Sequence, residues 1–270
     1  MQVAEHTIEL AGAPVFYRST DAELAPLLYV HGCPTSSDDW IPLLERTGGA
    51  APDLVGFGRS AKAANLDYTL AGLANFLELF LDRLEIPRAT VVAHDWGAGA
   101  VLVLAQRRPE RLHRLVLINA LPLLDGFSWH RLARIWRRPL LGELAMGAIT
   151  RPGLRRVLAR GYADPSALSS ARVNAIWTHF DQGTQRAVLR LHRSTPERRL
   201  VEAGAQLDRL SMPIRVIWGE RDPWFAAPLA DQYGKRLATA RVTHVPDAGH
   251  WPWLERPAVA GEIAEFVSGP

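Results

Sequence analysis

Thr90-Val91-Val92-Ala93-His94-Asp95-Trp96-Gly97-Ala98-Gly99-Ala100 takes a strand into a helix with no loop between them. Thr90 to Val92 is a β-branched apolar run of the kind that forms a buried strand. From about Trp96 to Arg107 the chain is Ala/Gly-rich and then Leu-rich, which predicts a helix. A reversal from strand to helix at one residue strains that residue and lifts its side chain above the sheet. Ala93 and Gly97 stand two residues to either side, where only small residues let strand and helix pass so closely. The lifted residue is Asp95. An ordinary Asp has a pKa near ~3.9, so its carboxylate is already ionised at neutral pH. It can displace a leaving group from saturated carbon and become an ester that a second step must hydrolyse. The plainer alternative is that Asp95 only caps the following helix.

Outward from this stretch the chain alternates strands and helices. Thr7 to Leu10 and Val15 to Ser19 read as strands joined by the turn Ala11-Gly12-Ala13-Pro14. Leu27 to Val30 is a short apolar strand that runs into His31-Gly32-Cys33-Pro34-Thr35-Ser36-Ser37. Ala50 to Ser60 reads as a strand end and a glycine-punctuated loop. Tyr68 to Leu84 carries apolar residues at helical spacing. Leu115 to Ile118 is the next buried strand, with Asn119 at its end. Strands this apolar, alternating with helices, predict a mostly parallel sheet with helices on both faces. Sites in such sheets lie at the carboxyl ends of the strands.

From residue 121 to 209 the strand rhythm stops and Arg, Leu, Ala and Trp recur at helical spacing, which predicts a helical cap. The core is expected over residues 1–120 and 210–270. There the strand Pro213 to Trp218 leads to Gly219-Glu220-Arg221-Asp222. The strand Arg241 to Pro246 leads to Asp247-Ala248-Gly249-His250. A last helix spans Pro257 to Val267. Asp95, Asp222 and His250 thus each follow a strand, in the chain order nucleophile, acid, histidine.

Composition narrows the classes. The 270 residues, 48% hydrophobic, suffice for one core with an insertion. No apolar run approaches the ~18 residues of a membrane span, and residues 1–6 lack the pattern of a secretory signal. Cys33 is the single cysteine, so no intramolecular disulfide is possible. A cytoplasmic protein without membrane association is expected. The net charge of +3 comes with arginine far outnumbering lysine, but without a nucleic-acid-binding module. No metal-ligand spacing is present and no cofactor is expected. The partner is a small-molecule substrate, and a monomer or a homodimer both fit.

His94-Asp95-Trp96-Gly97 resembles the nucleophile elbow of α/β-hydrolases of the haloalkane dehalogenase and epoxide hydrolase branch. The His31 to Ser37 loop with Trp40, and the Pro52 to Ser60 segment, are most similar to dehalogenases. The resemblance covers residues 1–120 and 210–270, and the cap matches in position only. It implies the α/β-hydrolase fold with an inserted cap, and a two-step mechanism. Asp95 attacks carbon and expels halide or opens an epoxide. His250 then activates water against the ester, with Asp222 holding its other nitrogen. The backbone N–H groups of Cys33 and Trp96 would form the oxyanion hole.

The leaving group needs donors. The resemblance points to the Trp96 indole for a halide, joined by a second group in the His31 loop, where His31 itself is a candidate, or in the cap, where Trp129, Trp136 and Trp177 are candidates. Where dehalogenases often carry Asn, this chain has Cys33. An epoxide needs a cap tyrosine, and Tyr162 is the one available, with His130 and His179 as substitutes. Asn119 stands where some dehalogenases carry Glu, so Asp222 must serve as the acid. Three readings follow: a dehalogenase-like hydrolase, an epoxide hydrolase giving a vicinal diol, and a homologue that binds its ligand without turnover.

Overall fold

The computed structural model describes residues 1–20 and 26–269. Its strands are β1 (Val3–Leu10), β2 (Ala13–Thr20), β3 (Leu27–Val30), β4 (Ala50–Pro52), β5 (Ala89–His94), β6 (Leu112–Ile118), β7 (Ile214–Gly219) and β8 (Ala240–Val245). They form one sheet in the order β1-β2-β4-β3-β5-β6-β7-β8. β1 and β2 are an antiparallel hairpin, and β2 joins β4 antiparallel. From β4 to β8 every neighbouring pair is parallel.

Burial follows position in the sheet. β3 is buried at every residue and β5 at all but Thr90, because helices cover both faces there. The edge strand β1 alternates between half-buried and exposed residues, as a strand with one solvated face does. β1, β2, β5 and β6 are longer than the apolar runs that betrayed them, because ladder bonds extend into polar flanks; β3 has the expected bounds, and β7 and β8 are shifted by one residue.

The helices are α1 (Ile41–Thr47), α2 (Leu70–Arg83), α3 (Asp95–Arg107), α4 (Arg131–Trp136), α5 (Leu141–Gly147), α6 (Arg151–Ala159), α7 (Ser170–Thr178), α8 (Gln182–Ser194), α9 (Glu197–Ala203), α10 (Pro228–Arg236), α11 (Pro252–Glu255) and α12 (Pro257–Ser268). Thr69 caps α2, its hydroxyl accepting from Gly72 N at 3.0 Å. α2 packs on α3 and α1 on α12.

Helices α4 to α9 fall between β6 and β7 and are tied to the sheet by specific bonds. Thr184 Oγ1 donates to the Gly56 carbonyl at 2.9 Å. Arg172 pairs with buried Asp39 at 2.6 Å. The His250 N–H donates to the Gly161 carbonyl at 2.6 Å. Among the described residues no helix is long and apolar enough to cross a membrane.

Because β3 and β5 to β8 run parallel, their carboxyl ends share one edge. His31 follows β3, Asp95 follows β5, Asn119 follows β6, Asp222 lies just after β7 and His250 just after β8.

Candidate active site

Asp95 is the first residue of α3 and has φ +51°, a left-handed conformation that residues with a Cβ rarely take. That conformation turns the carboxylate away from the helix it opens. Tight neighbours hold it. A Cβ on Gly97 would overlap the His31 carbonyl oxygen, and one on Gly32 would overlap the Asp95 carboxylate. Gly97→Ala is therefore expected to destabilise the protein by about 1–3 kcal/mol, the usual range for overpacking. A lower urea midpoint in circular dichroism would show it, and an unchanged midpoint would mean that the crossing is looser than drawn.

The carboxylate is buried with fixed partners. Its Oδ2 accepts from Cys33 N at 2.8 Å, and the Trp96 N–H also donates to the group. These are the two donors expected of an oxyanion hole. Burial pushes the Asp95 pKa up to about 6, against the opposing pull of His250 and both backbone donors.

His250 Nδ1 lies 2.6 Å from Asp222 Oδ2. The carboxylate can only accept, so Nδ1 carries the proton and Nε2 is left as the base. Burial alone would disfavour a charged His250. The charge and hydrogen bond of Asp222, with Asp95 beyond, outweigh it, and the pKa is raised. Below it, His94 Nε2 donates to the His250 carbonyl at 2.9 Å. Burial and the neighbouring His250 push the His94 pKa well down, so this ring is a neutral prop.

Asp222 has every lone pair engaged. Its Oδ1 accepts from Trp224 N at 2.8 Å and Phe225 N at 3.2 Å. Its Oδ2 also accepts from Asn119 Nδ2 at 2.8 Å. Asn119 is itself fixed, its Oδ1 accepting from Gly219 N at 2.9 Å. Asn119 thus holds the Asp222 carboxylate in place.

Asp95 and His250 face one cavity with a largely apolar lining, the character expected of a small-molecule site. Trp96, Trp129 and Trp136 line it together with Cys33 and Pro34. The Trp129 indole is already spent, donating to the Thr195 carbonyl at 3.1 Å. The Trp96 Nε1–H has no hydrogen-bond partner among the described residues.

Four expected substrate contacts do not line this cavity. His31 is fully buried beneath it: Nε2 accepts from Leu54 N at 2.8 Å, so Nδ1–H donates to the Gly32 carbonyl at 2.7 Å. The ring shapes the loop rather than meeting substrate. Tyr162 sits in the segment after α6 and packs on Trp251, with ring centroids 5.3 Å apart. Trp177, near the end of α7, stacks on Phe180 at 6.2 Å. His179 follows α7, and its carbonyl anchors Lys62 Nζ at 2.9 Å.

Besides His250, two histidines line the cavity, His130 and His192. His192 escaped the sequence reading. It extends the stripe Val188, Leu191, Thr195 of a helix whose other faces are polar, and that break in amphipathic pattern was its signal.

Comparison with known proteins agrees with this architecture. The α/β-hydrolase fold family matches residues 25–257. LipZ of Mycobacterium tuberculosis is 28% identical over 262 residues, spanning 93% of this chain and 90% of LipZ. Epoxide hydrolase 3 of Mus musculus is 24% identical over 270 residues, spanning 93% of this chain and 72% of that enzyme. The solved structure of haloalkane dehalogenase DbeA from Bradyrhizobium elkani superposes with a TM-score of 0.86 at 26% identity, covering 99% of this chain and 98% of that one. A strained carboxylate elbow, a histidine–acid pair on the neighbouring strand ends, and a match across most of the sequence lead to one conclusion: the chain belongs to the α/β-hydrolase family and is a hydrolase with haloalkane dehalogenase and epoxide hydrolase relatives.

Proposed function

We propose that the protein hydrolyses carbon–halogen bonds of small, mainly apolar molecules through a covalent ester on Asp95. The observation that carries this reading is the cavity's donor set, which offers indole N–H groups and no tyrosine. Halide leaves as a stable anion and needs only hydrogen-bond donors. An alkoxide from an epoxide needs a proton. Tyr162 lies outside the cavity lining, and burial pushes the pKa values of His130 and His192 down to about 4 and about 3. Neither imidazole is protonated near neutral pH.

In the first step an Asp95 oxygen attacks carbon in line, and the halide departs toward the Trp96 indole. In the second, His250 Nε2 takes a proton from water, which adds to the ester carbonyl carbon. The Cys33 and Trp96 N–H groups stabilise the oxyanion; as it collapses, His250 passes its proton to the departing alkoxide, which leaves as the alcohol, and the new carboxyl group loses its remaining proton to solvent to restore the carboxylate.

The first step needs Asp95 ionised. Its rate in single-turnover rapid-quench experiments is expected to fall as pH drops below about 6, nearing tenfold per unit. A rate flat from pH 7 to pH 5 would contradict the assignment. Trp96→Phe is expected to slow halide displacement on the order of 100-fold, the scale seen on removing one donor from a developing charge. Hydrolysis of the preformed ester, which uses the Trp96 backbone, should change far less.

The position of Asp222 after β7 also suits an epoxide hydrolase. A panel of bromoalkanes and styrene oxide separates the two, with bromide read by ion chromatography and diol by gas chromatography. Bromide with an equal amount of alcohol is expected. Diol alone transfers the protein to the second reading, and no product from either class leaves a ligand-binding homologue.

A further inference from the structure

We infer that the cavity holds a recognition subsite for a hydrogen-bond donor on the substrate, with His192 Nε2 as the acceptor. On the proposed function, on which this rests, the substrate class is then halogenated alcohols or amides rather than plain hydrocarbon halides.

His192 is on α8, 3% exposed, and lines the cavity. Its Nδ1 is 2.8 Å from the Val188 carbonyl one turn earlier. A carbonyl only accepts, so Nδ1 bears the proton, and a neutral imidazole has no second one. Nε2 is therefore a bare lone pair. Burial, with His130 and Arg137 nearby, keeps the ring neutral. The ring's placement is firm, because Arg137 Nη1 holds the end of α8 through the His192 and Thr195 carbonyls, both at 2.7 Å.

No protein group donates to Nε2 among the described residues. Trp96, Trp129 and Trp136 surround the ring, each with its centroid 5.1 Å away. The Trp129 N–H is committed to Thr195, and the Trp136 N–H meets no acceptor among the described residues. An aromatic box around an unmet acceptor selects for a ligand that supplies the missing donor, since an analogue without it leaves the acceptor desolvated and unpaired. The lone pair repels carboxylates, so an uncharged O–H or N–H is the group recognised.

Hexan-1-ol and 1-methoxyhexane differ by that donor, and their binding can be followed through quenching of tryptophan fluorescence. The alcohol is expected to bind the wild type about 10-fold more tightly, the scale of one buried acceptor satisfied. His192→Phe should bring the two affinities together. His192→Gln, which restores an acceptor, should recover part of the preference. Equal binding by the wild type overturns the proposal, as does a preference that survives in His192→Phe.

The kcat/KM ratio of 6-bromohexan-1-ol to 1-bromohexane should follow the same pattern. If the binding preference holds while neither bromide is released, the subsite stands and the dehalogenase reading fails. If both bromides react alike and the preference is absent, the reverse holds.

Discussion

His250→Gln is expected to stop the enzyme after one turnover, leaving the alkyl group on Asp95 as an ester. Displacement of halide uses the Asp95 carboxylate and the surrounding donors, none of which requires the imidazole. Ester hydrolysis requires a base at Nε2, which glutamine lacks. Steady-state turnover should fall by about 10²–10⁴, the contribution of a well-placed general base. Intact-protein mass spectrometry should show a stoichiometric adduct, and a digest should place it on the peptide containing Asp95. Full loss of activity with unmodified protein, in a variant whose circular dichroism matches the wild type, would sink the covalent mechanism.

On the proposed mechanism, a charge switch accompanies this step. Asp95 is one of the negative groups that raise the His250 pKa. Alkylation neutralises Asp95, which lowers the pKa of His250 when it must act as a base. The first half-reaction thereby prepares the second.

The parts of this site that were legible in the sequence are those fixed by local backbone geometry. Asp95 announced itself because a strand meets a helix with small residues at Ala93 and Gly97, a pattern that few arrangements satisfy. Asp222 and His250 followed because each lies just after an apolar run, and parallel strands put their carboxyl ends on one edge. Cap residues carry no such constraint. Helical periodicity shows that Trp177 has an apolar face to bury but not which helix covers it, and here the cover is Phe180 rather than the cavity. Tyr162 was a candidate as the cap's one tyrosine. The Gly161 carbonyl fixes that segment to the His250 N–H, and the ring goes to Trp251. His192 was hidden for the opposite reason: Arg190 and Arg193 beside it make the segment read as solvated, and its place on the stripe of Val188 and Leu191 is the one sign of a buried side.

Asp222→Asn should cost activity as heavily as loss of the histidine, and for a reason visible in the hydrogen bonds. Trp224 N and Phe225 N both donate to Oδ1, so the amide oxygen of an asparagine must occupy that place. Its NH₂ then stands where Oδ2 was, against two donors, Asn119 Nδ2 and His250 Nδ1–H. The conflict with His250 is relieved if the imidazole proton moves to Nε2, so that Nδ1 accepts from the new amide. The nitrogen meant to act as a base toward water is then the one that carries the proton. A wrong tautomer in an otherwise intact site lowers kcat by roughly 10⁴ in the serine-protease triad, and a loss of that order is expected here. The deficit should fall on ester hydrolysis and spare alkylation, so the variant should show a burst of halide equal to the enzyme concentration, followed by near silence. Stopped-flow halide detection reads both phases. Slow alkylation with no burst would instead assign Asp222 to shaping the nucleophile's surroundings. Asn119→Ala removes a donor without forcing the tautomer, and should cost far less than Asp222→Asn if the proton's position on His250 governs the second step.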